Sequence, residues 1–383
     1  LPSADRGLPS ILVHTPSIGQ AEIAALTEVC EAGWLGMGEV THAFEARLRE
    51  VVGVRHAIAV QSGTAALHLA LEAVGVGPGD EVIVPSFTFA ACVQAVLMSE
   101  GTPVFCDIDL DTLTLDVDDV VRRITPATKA VVPVDYGGAP CDYDRLLEAV
   151  HPRGIAVVAD AAHSFGSTYK GRSVGTLADV SCFSFDATKT VSCGDGGAVV
   201  TDDDEIAARC RAARNLGIVQ ESWARRLSRR PWSYEVTGPG YRYRLGNLNA
   251  AIGLVQLGRL DAFRARKAEI VRRYDEALGG CPGVVLPAWP RGETLHFLYV
   301  MRVLDGRRDA LLDHLAEQGI QGWVHFTPNH LQPAFAAYRV PLPVTERAFG
   351  EVVSLPLHVR LTDEDVERVA EGVRSFLLSL VAA

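Results

Sequence analysis

Apolar positions return at helical spacing over residues 22–32 and again over 40–51, with Gly33-Trp34-Leu35-Gly36-Met37-Gly38 between them. That spacing lines one face of a helix, so two amphipathic helices joined by a glycine-rich loop are predicted. From residue 56 the pattern changes to short β-rich runs alternating with helical stretches. Strands are predicted at 56–60, 81–85, 103–108 and 129–134, with helices at 64–74 and 89–98. Alternation of this kind reads as αβ layers, and the fold class as α/β.

A helix over 143–150 stops before His151-Pro152, and Ile155-Ala156-Val157-Val158-Ala159 supplies a buried strand whose last position is Asp160. Strands at 180–185 and 197–201 follow. A long amphipathic helix over 248–278 carries Leu248, Ile252, Val255, Leu257 and Leu260 on its early turns. Beyond Gly279-Gly280 a smaller module is predicted, with a strand at 295–303 and helices at 308–318 and 363–378. The expected division is residues 1–250 as a large domain and 251–383 as the connecting helix with a small C-terminal α+β domain.

Composition narrows the function. A chain of 383 residues that is 48% hydrophobic can bury a large core. With 47 acidic against 36 basic residues the formal net charge is -11, which excludes a general nucleic-acid binder. The stretch Arg225 to Arg230 is either a solvated loop or a local phosphate or partner contact. Eight cysteines show no Cys-x-x-Cys pair and no zinc-like histidine spacing, so inert thiols and no metal are expected. No apolar run reaches the ~20 residues of a membrane span. The opening Leu1-Pro2-Ser3-Ala4 lacks the basic and apolar regions of a secretion signal, so a cytoplasmic protein is expected.

Three motifs carry candidate chemistry. Gln61-Ser62-Gly63-Thr64-Ala65-Ala66-Leu67-His68 follows a strand and opens a helix. It is either a plain capping turn or an anion nest in which the amides near Gly63, Thr64 and Ala65 face a phosphate. No Gly-x-Gly-x-x-Gly or P-loop pattern is present, which removes support for a nicotinamide or nucleotide-triphosphatase reading. In Asp160-Ala161-Ala162-His163 an acidic residue ends a very apolar strand. Asp160 is either a cap or the partner of a protonated pyridine nitrogen, and His163 is either a packed ring or a neighbour of that ring's edge. In Ser184-Phe185-Asp186-Ala187-Thr188-Lys189, the lysine leaves a strand before a glycine-rich bend, either solvated or aimed into a cavity. Together an anion nest, a carboxylate and an amine able to form a Schiff base are the constituents of a pyridoxal phosphate site. Phe89, just after Pro85-Ser86-Phe87-Thr88, is either a core aromatic or a cover for one ring face.

In this ordered combination the chain resembles the DegT/DnrJ/EryC1/StrS sugar aminotransferases of fold-type I, from the Ala32-Gly33-Trp34-Leu35 turn to Leu355-Pro356-Leu357. The resemblance implies a PLP-dependent fold-type I transferase, with a mixed seven-stranded sheet in its large domain. It also implies a homodimer with active sites near the interface, and work in deoxyamino sugar biosynthesis, including that of antibiotics. Lys189 would hold the cofactor, Asp160 would pair with its ring nitrogen, and His163 would lie by its ring hydroxyl. Gly63, Thr64 and Ser184 match phosphate-binding positions, and Phe89 an aromatic over the ring. Trp323, His325, Asn329 and His330 in the 322–330 segment are either a rigid loop of packed aromatics or a substrate wall; the resemblance supports His325 and His330 near the substrate, with Trp34 as a further substrate contact.

Three positions depart from the family pattern. Arg242 in Gly240-Tyr241-Arg242-Tyr243-Arg244 replaces an asparagine that reaches the cofactor phosphate from the other subunit, leaving Arg242 or nearby Asn247 for that contact. Leu216 and Asp195 replace a usual histidine and glutamate. The implied reaction moves an amino group from L-glutamate to a nucleotide-linked 4-keto-6-deoxy sugar, with dTDP-4-keto-6-deoxyglucose the specific expectation. C3-keto-sugar or ketocyclitol amination, and a noncatalytic PLP-binding regulatory protein, are the alternatives.

Overall fold

A computed structural model describes residues 11–381, apart from 221, 222, 224, 226–228 and 231. The expected Arg225 to Arg230 stretch therefore falls partly outside the described residues; Arg225 itself lies 4.7 Å from the Tyr234 ring centroid. In chain order the strands are β1 (His56–Val60), β2 (Glu81–Pro85), β3 (Thr102–Cys106), β4 (Thr128–Val131), β5 (Ala156–Asp160), β6 (Thr168–Tyr169), β7 (Arg172–Ser173), β8 (Val180–Ser184), β9 (Gly197–Thr201), β10 (Val284–Val285), β11 (Tyr299–Val303) and β12 (Val352–Leu355).

Seven of them form one mixed sheet in the order β1-β9-β8-β5-β4-β2-β3. β2, β3, β4, β5 and β8 pair in parallel, whereas β9 runs antiparallel to both β8 and β1. Six strands therefore share one direction, so the carboxyl ends of β1, β5 and β8 reach the same sheet edge. In open α/β sheets that edge is where ligands bind. Ser62-Gly63, Asp160 and Ser184 to Lys189 all sit there.

Both faces of the sheet are covered. One apolar cluster joins Phe44, Leu48, Val157, Phe183 and Leu257, and another joins Ile58, Leu67, Leu71, Val84, Val158 and Val199. Full burial of each Val, Leu or Ile is worth roughly 1.5–3 kcal/mol against exposure. A third cluster packs Ile270, Tyr274 and Leu278 against β11, β12 and the last helix, Asp363–Val381. Among the described residues no helix is long and apolar enough to cross a membrane.

Several boundaries differ from expectation. The helix predicted over 248–278 is two helices, Asn247–Gly258 and Leu260–Leu278. Arg259 adopts φ -104°, ψ 1°, and its N–H bonds back to the Gln256 carbonyl. Its guanidinium is anchored on the carbonyl of Ser17 and the carboxylate of Glu22, and Gly258 beside it is a weak helix former. The strand predicted from 295 begins only at Tyr299. Before it, the N–H groups of Phe297 and Leu298 donate to Gly137 and that of Leu295 to Ser167 Oγ, so the backbone docks on the large unit instead of a ladder. The strand predicted over 129–134 ends at Val131, and the helix predicted from Phe89 starts at Ala91, leaving Phe89 on the preceding loop. Helices Val117–Arg123 and Asp204–Arg214 were not anticipated, although Asp116 and Asp203 cap them.

Candidate active site

The sheet edge opens into a chamber of about 610 Å³. Its floor is built from the three motifs. Ser62 caps the helix Gly63–Ala73 by accepting from the Ala65 N–H, which corrects the expectation that the Ala65 amide is free for an anion. The amides of Gly63 and Thr64 donate to no protein atom among the described residues. Both therefore remain to face a phosphate, with the helix end adding favourable potential. Close packing requires the glycines: a Cβ on Gly63 would stand 2.9 Å from Ser184 Cβ, and one on Gly197 would stand 2.4 Å from the Ser62 carbonyl. Ser184 sits directly under this turn and lines the same chamber.

Asp160 is 6% exposed. The Cys92 thiol donates to its Oδ2 at 2.7 Å and the Ala162 N–H to its Oδ1 at 3.0 Å. Burial raises its carboxyl above the usual range, partly offset by those donors and by the Lys189 charge. Lys189 is set by a turn in which Asp186 Oδ1 accepts from the Thr188 N–H and hydroxyl, while the Asp186 carbonyl accepts from the Lys189 N–H. Burial lowers the Lys189 ammonium to about 8, against the pull of Asp160 and Asp186. Its Nζ lies 4.2 Å from the Phe297 ring centroid.

His163 takes a hydrogen bond from the Gly137 N–H on Nδ1 and packs against Phe297 at 4.4 Å between centroids. Burial, then the Lys189 charge, holds it well below the usual histidine range, so the ring is neutral.

The wall comes from remote segments: His14, Phe297, Gln321, Trp323, His325 and Phe326, with Phe89 at the rim, 60% exposed. His14 stacks on Phe297 at 5.0 Å, and burial lowers it to about 2 and His325 to about 3. His325 Nδ1 meets Ser354 Oγ at 2.9 Å, and its carbonyl accepts from the Tyr136 hydroxyl. His14, Phe297 and Phe326 were not anticipated. His14 reaches the chamber because Ile11 bridges to Ile320, a contact that leaves no trace in local spacing.

The remaining candidates lie elsewhere. His330 is buried behind the wall, with Nδ1 2.7 Å from Ser86 Oγ and Nε2 3.3 Å from Glu346. Neighbouring Asn329 donates to the carbonyls of Ser86 and Thr88. Trp34 and Arg242 line a second cavity of about 550 Å³ with Arg244, Gln61 and Gly246. Asn247 is occupied: Oδ1 accepts from Thr41 and Nδ2 donates to the Trp34 carbonyl, which anchors the loop at 34–37.

This donor set fits pyridoxal phosphate. Two free amides and the Ser184 hydroxyl suit the phosphate, Asp160 the ring nitrogen, and Lys189 the carbonyl carbon. A family model for the DegT/DnrJ/EryC1/StrS aminotransferases matches residues 16–374. The chain belongs to that family. The spore coat polysaccharide biosynthesis protein SpsC of Bacillus subtilis is 40% identical over 372 residues, 94% of this chain and 96% of SpsC. The aminotransferase TlmJ from Streptoalloteichus hindustanus superposes with a TM-score of 0.90 at 39% identity, covering 97% of this chain and 100% of TlmJ. The PLP form of the putative sugar aminotransferase Spr1654 from Streptococcus pneumoniae superposes at 0.89 and 31% identity, covering 96% of this chain and 98% of that one. The protein is thus a PLP-dependent sugar aminotransferase of the DegT/DnrJ/EryC1/StrS family, with the fold-type I α/β architecture.

All eight cysteines are free, six of them buried, and among the described residues no cluster of potential metal ligands occurs.

Proposed function

We propose that this aminotransferase moves the amino group of L-glutamate onto a nucleotide-linked 4-keto-6-deoxy sugar, with dTDP-4-keto-6-deoxyglucose as its substrate. The observation that carries the reading is the chamber itself, with Lys189 and Asp160 at its base and Phe89, Trp323, His325 and Phe326 around its opening. Aromatic faces and neutral imidazoles suit a sugar ring better than a second charged amino acid. Catalytic roles are assigned to Lys189, Asp160 and His163, and cofactor contacts to Gly63, Thr64, Phe89 and Ser184.

Bound pyridoxal phosphate supplies an electrophilic carbonyl and an electron-withdrawing ring. Asp160 keeps the ring nitrogen protonated by presenting a carboxylate there. Lys189 Nζ, depressed to about 8, is available as a base near neutral pH; it would move a proton from the donor's α-carbon to the cofactor's former carbonyl carbon in the first half-reaction, and from that carbon to the sugar carbon that receives the amine in the second. The alternation predicts ping-pong kinetics.

Residues 1–250 are taken as the cofactor-binding domain and 251–383 as the connecting helix with the small domain. The protein is assigned to the cytoplasm, where nucleotide-linked sugars are made. In the proposed homodimer the face with Trp34, Arg242 and Arg244 lies toward the second subunit, where its cations can meet a phosphate. The test is a mass-spectrometric panel of nucleotide-linked 3-keto and 4-keto sugars and ketocyclitols, with glutamate or glutamine as donor. Amination at C4 of the dTDP-sugar is expected. Product only at C3 or from a ketocyclitol overturns the substrate, and no product from any keto sugar despite a working donor half-reaction overturns the class.

A further inference from the structure

Cys92 occupies the second position of the helix Ala91–Met98 and is 1% exposed, yet it faces a carboxylate. Its Sγ is 2.7 Å from Asp160 Oδ2 and 3.3 Å from Thr88 Oγ1. Burial, and then the Asp160 charge, holds the thiol well above its usual range. It therefore keeps its proton, and the charged acceptor within reach is the Asp160 carboxylate. With the sulfur committed as donor to Asp160, the Thr88 hydroxyl donates to the sulfur, and a directed chain runs from Thr88 through Cys92 to Asp160.

The far end of this chain is pinned by the small unit. Asn329 Nδ2 donates to the Thr88 carbonyl at 2.7 Å, the Asn329 N–H donates to the Ser86 carbonyl at 2.9 Å, and the His330 N–H donates to Ser86 Oγ at 2.9 Å. Asn329 is thereby spent on the backbone of Ser86 and Thr88, and His330 on the Ser86 hydroxyl.

We propose that Cys92 is a positioning residue for the amino-transfer reaction: as a hydrogen-bond donor, oriented by Thr88 and Asn329, it fixes the rotamer of Asp160 and keeps its carboxylate ionised toward the cofactor ring. The inference rests on Asp160 being the ring-nitrogen partner. An acceptor-only carboxylate in an apolar strand end needs such donors, since an unmatched buried charge neutralises itself by taking up a proton. The Ala162 amide holds Oδ1, and Cys92 is the side-chain donor on Oδ2. The other titratable groups whose fields meet Asp160 are Lys189 from the turn after β8, Cys182 on β8, and Asp135 and Tyr143 from beyond β4. Of these, Lys189 also feels Cys92 directly, as the last of the causes acting on it after burial, Asp160 and Asp186.

The test compares Cys92→Ala, Cys92→Ser and Asp160→Asn in the full-length, PLP-loaded protein. Three readouts are taken: the pH profile of kcat, the KM for the sugar, and the rate at which the near-visible cofactor band is lost when excess apo-acceptor protein is added. Cys92→Ala should move the acid limb of kcat upward by about one pH unit. It should also lower kcat roughly tenfold at neutral pH, leave the sugar KM unchanged and speed cofactor loss. Cys92→Ser should restore the limb and the band. A merely structural role of the side chain would leave the acid limb in place. The inference is overturned if Cys92→Ala leaves the limb unmoved, or if Cys92→Ser shifts it as far as Cys92→Ala does. Should Cys92→Ala fail to fold, Thr88→Val should move the limb in the same direction by a smaller amount, and an unmoved limb there also overturns it. If Asp160→Asn keeps full activity, the reading of Asp160 fails and this inference with it. If Asp160→Asn is inactive and Cys92→Ala is normal, only the inference fails.

Discussion

The floor and the wall of the chamber are built by different means. Every floor residue leaves the carboxyl end of one of the six strands that share a direction: Gly63 after β1, Asp160 at the end of β5, Lys189 after β8. The strand ladder places those atoms, and a local turn or cap aims each one. The wall gathers His14, Phe297, Trp323 and His325 from remote segments that meet where Ile11 bridges to Ile320, Trp323 bridges to Ser354 and Phe297 docks on Gly137. Its groups are aromatic rings and imidazoles kept neutral by burial, whereas the floor holds a carboxylate and an amine whose charges oppose each other. On the proposed roles, the contrast assigns the chemical step to the sheet edge and the selection of substrate to the tertiary wall.

The comparison breaks most readily at the floor. Lys189→Ala should abolish the covalent link, remove the near-visible band and lower transamination by at least about a thousandfold. An unchanged cofactor adduct by mass spectrometry would reject the lysine. Asp160→Asn keeps the shape and deletes the charge, so kcat should fall about a hundredfold in both half-reactions, corresponding to some two units of lost pKa support. A loss confined to one half-reaction would blur the division between floor and wall.

Effects at the wall should be smaller and selective. Trp323, half exposed at the opening, should when changed to Ala raise the KM for the sugar about tenfold while the glutamate half-reaction stays within about twofold. A matching fall in the donor half-reaction would mean that wall and floor are not separable.

The smallest effect concerns Asp135, the fully buried neighbour of Asp160, which accepts from Ser164, Tyr143 and the Cys141 N–H. Burial pushes its carboxyl up to about 7. The folded chain thus holds a proton there that the unfolded chain releases near ~3.9. Its contribution to stability is fully present below that value and is lost as pH rises through about 7. Asp135→Asn cannot ionise, so the fall in Tm between pH 5 and pH 8 should shrink by a few degrees, on the order set by the entropy of unfolding. An identical fall in calorimetry would remove Asp135 from the account.

The floor was legible because its signals are local. A strand followed by Ser62-Gly63-Thr64, an acid closing an apolar run, and a lysine before a glycine-rich bend each report a backbone geometry within a few residues. What escaped was non-local or competed with a stronger pattern. The break at Arg259 is invisible to periodicity, because Leu257 and Leu260 continue the apolar stripe across it; the anchor on Ser17 and Glu22 decides it. The strand start at Tyr299 was misplaced because Leu295, Phe297 and Leu298 look like strand residues, while their amides are taken by Gly137 and Ser167. Residues Asn329 and His330 carry the chemistry of a substrate wall in sequence, yet in space they face Ser86, Thr88 and Glu346.

By itself the sequence determined the alternation of layers, the end of the sheet where chemistry occurs and the cofactor class. These follow from periodicity, turn geometry and residue type, each of which acts over a few bonds. Only the tertiary structure decided which rings line the chamber, that the Cys92 thiol meets Asp160, and that Trp34, Arg242 and Asn247 stand apart from the chamber in this chain. Those outcomes depend on ångström distances between residues tens to hundreds of positions apart, fixed by packing and the pairing of buried polar groups, and no local pattern encodes them.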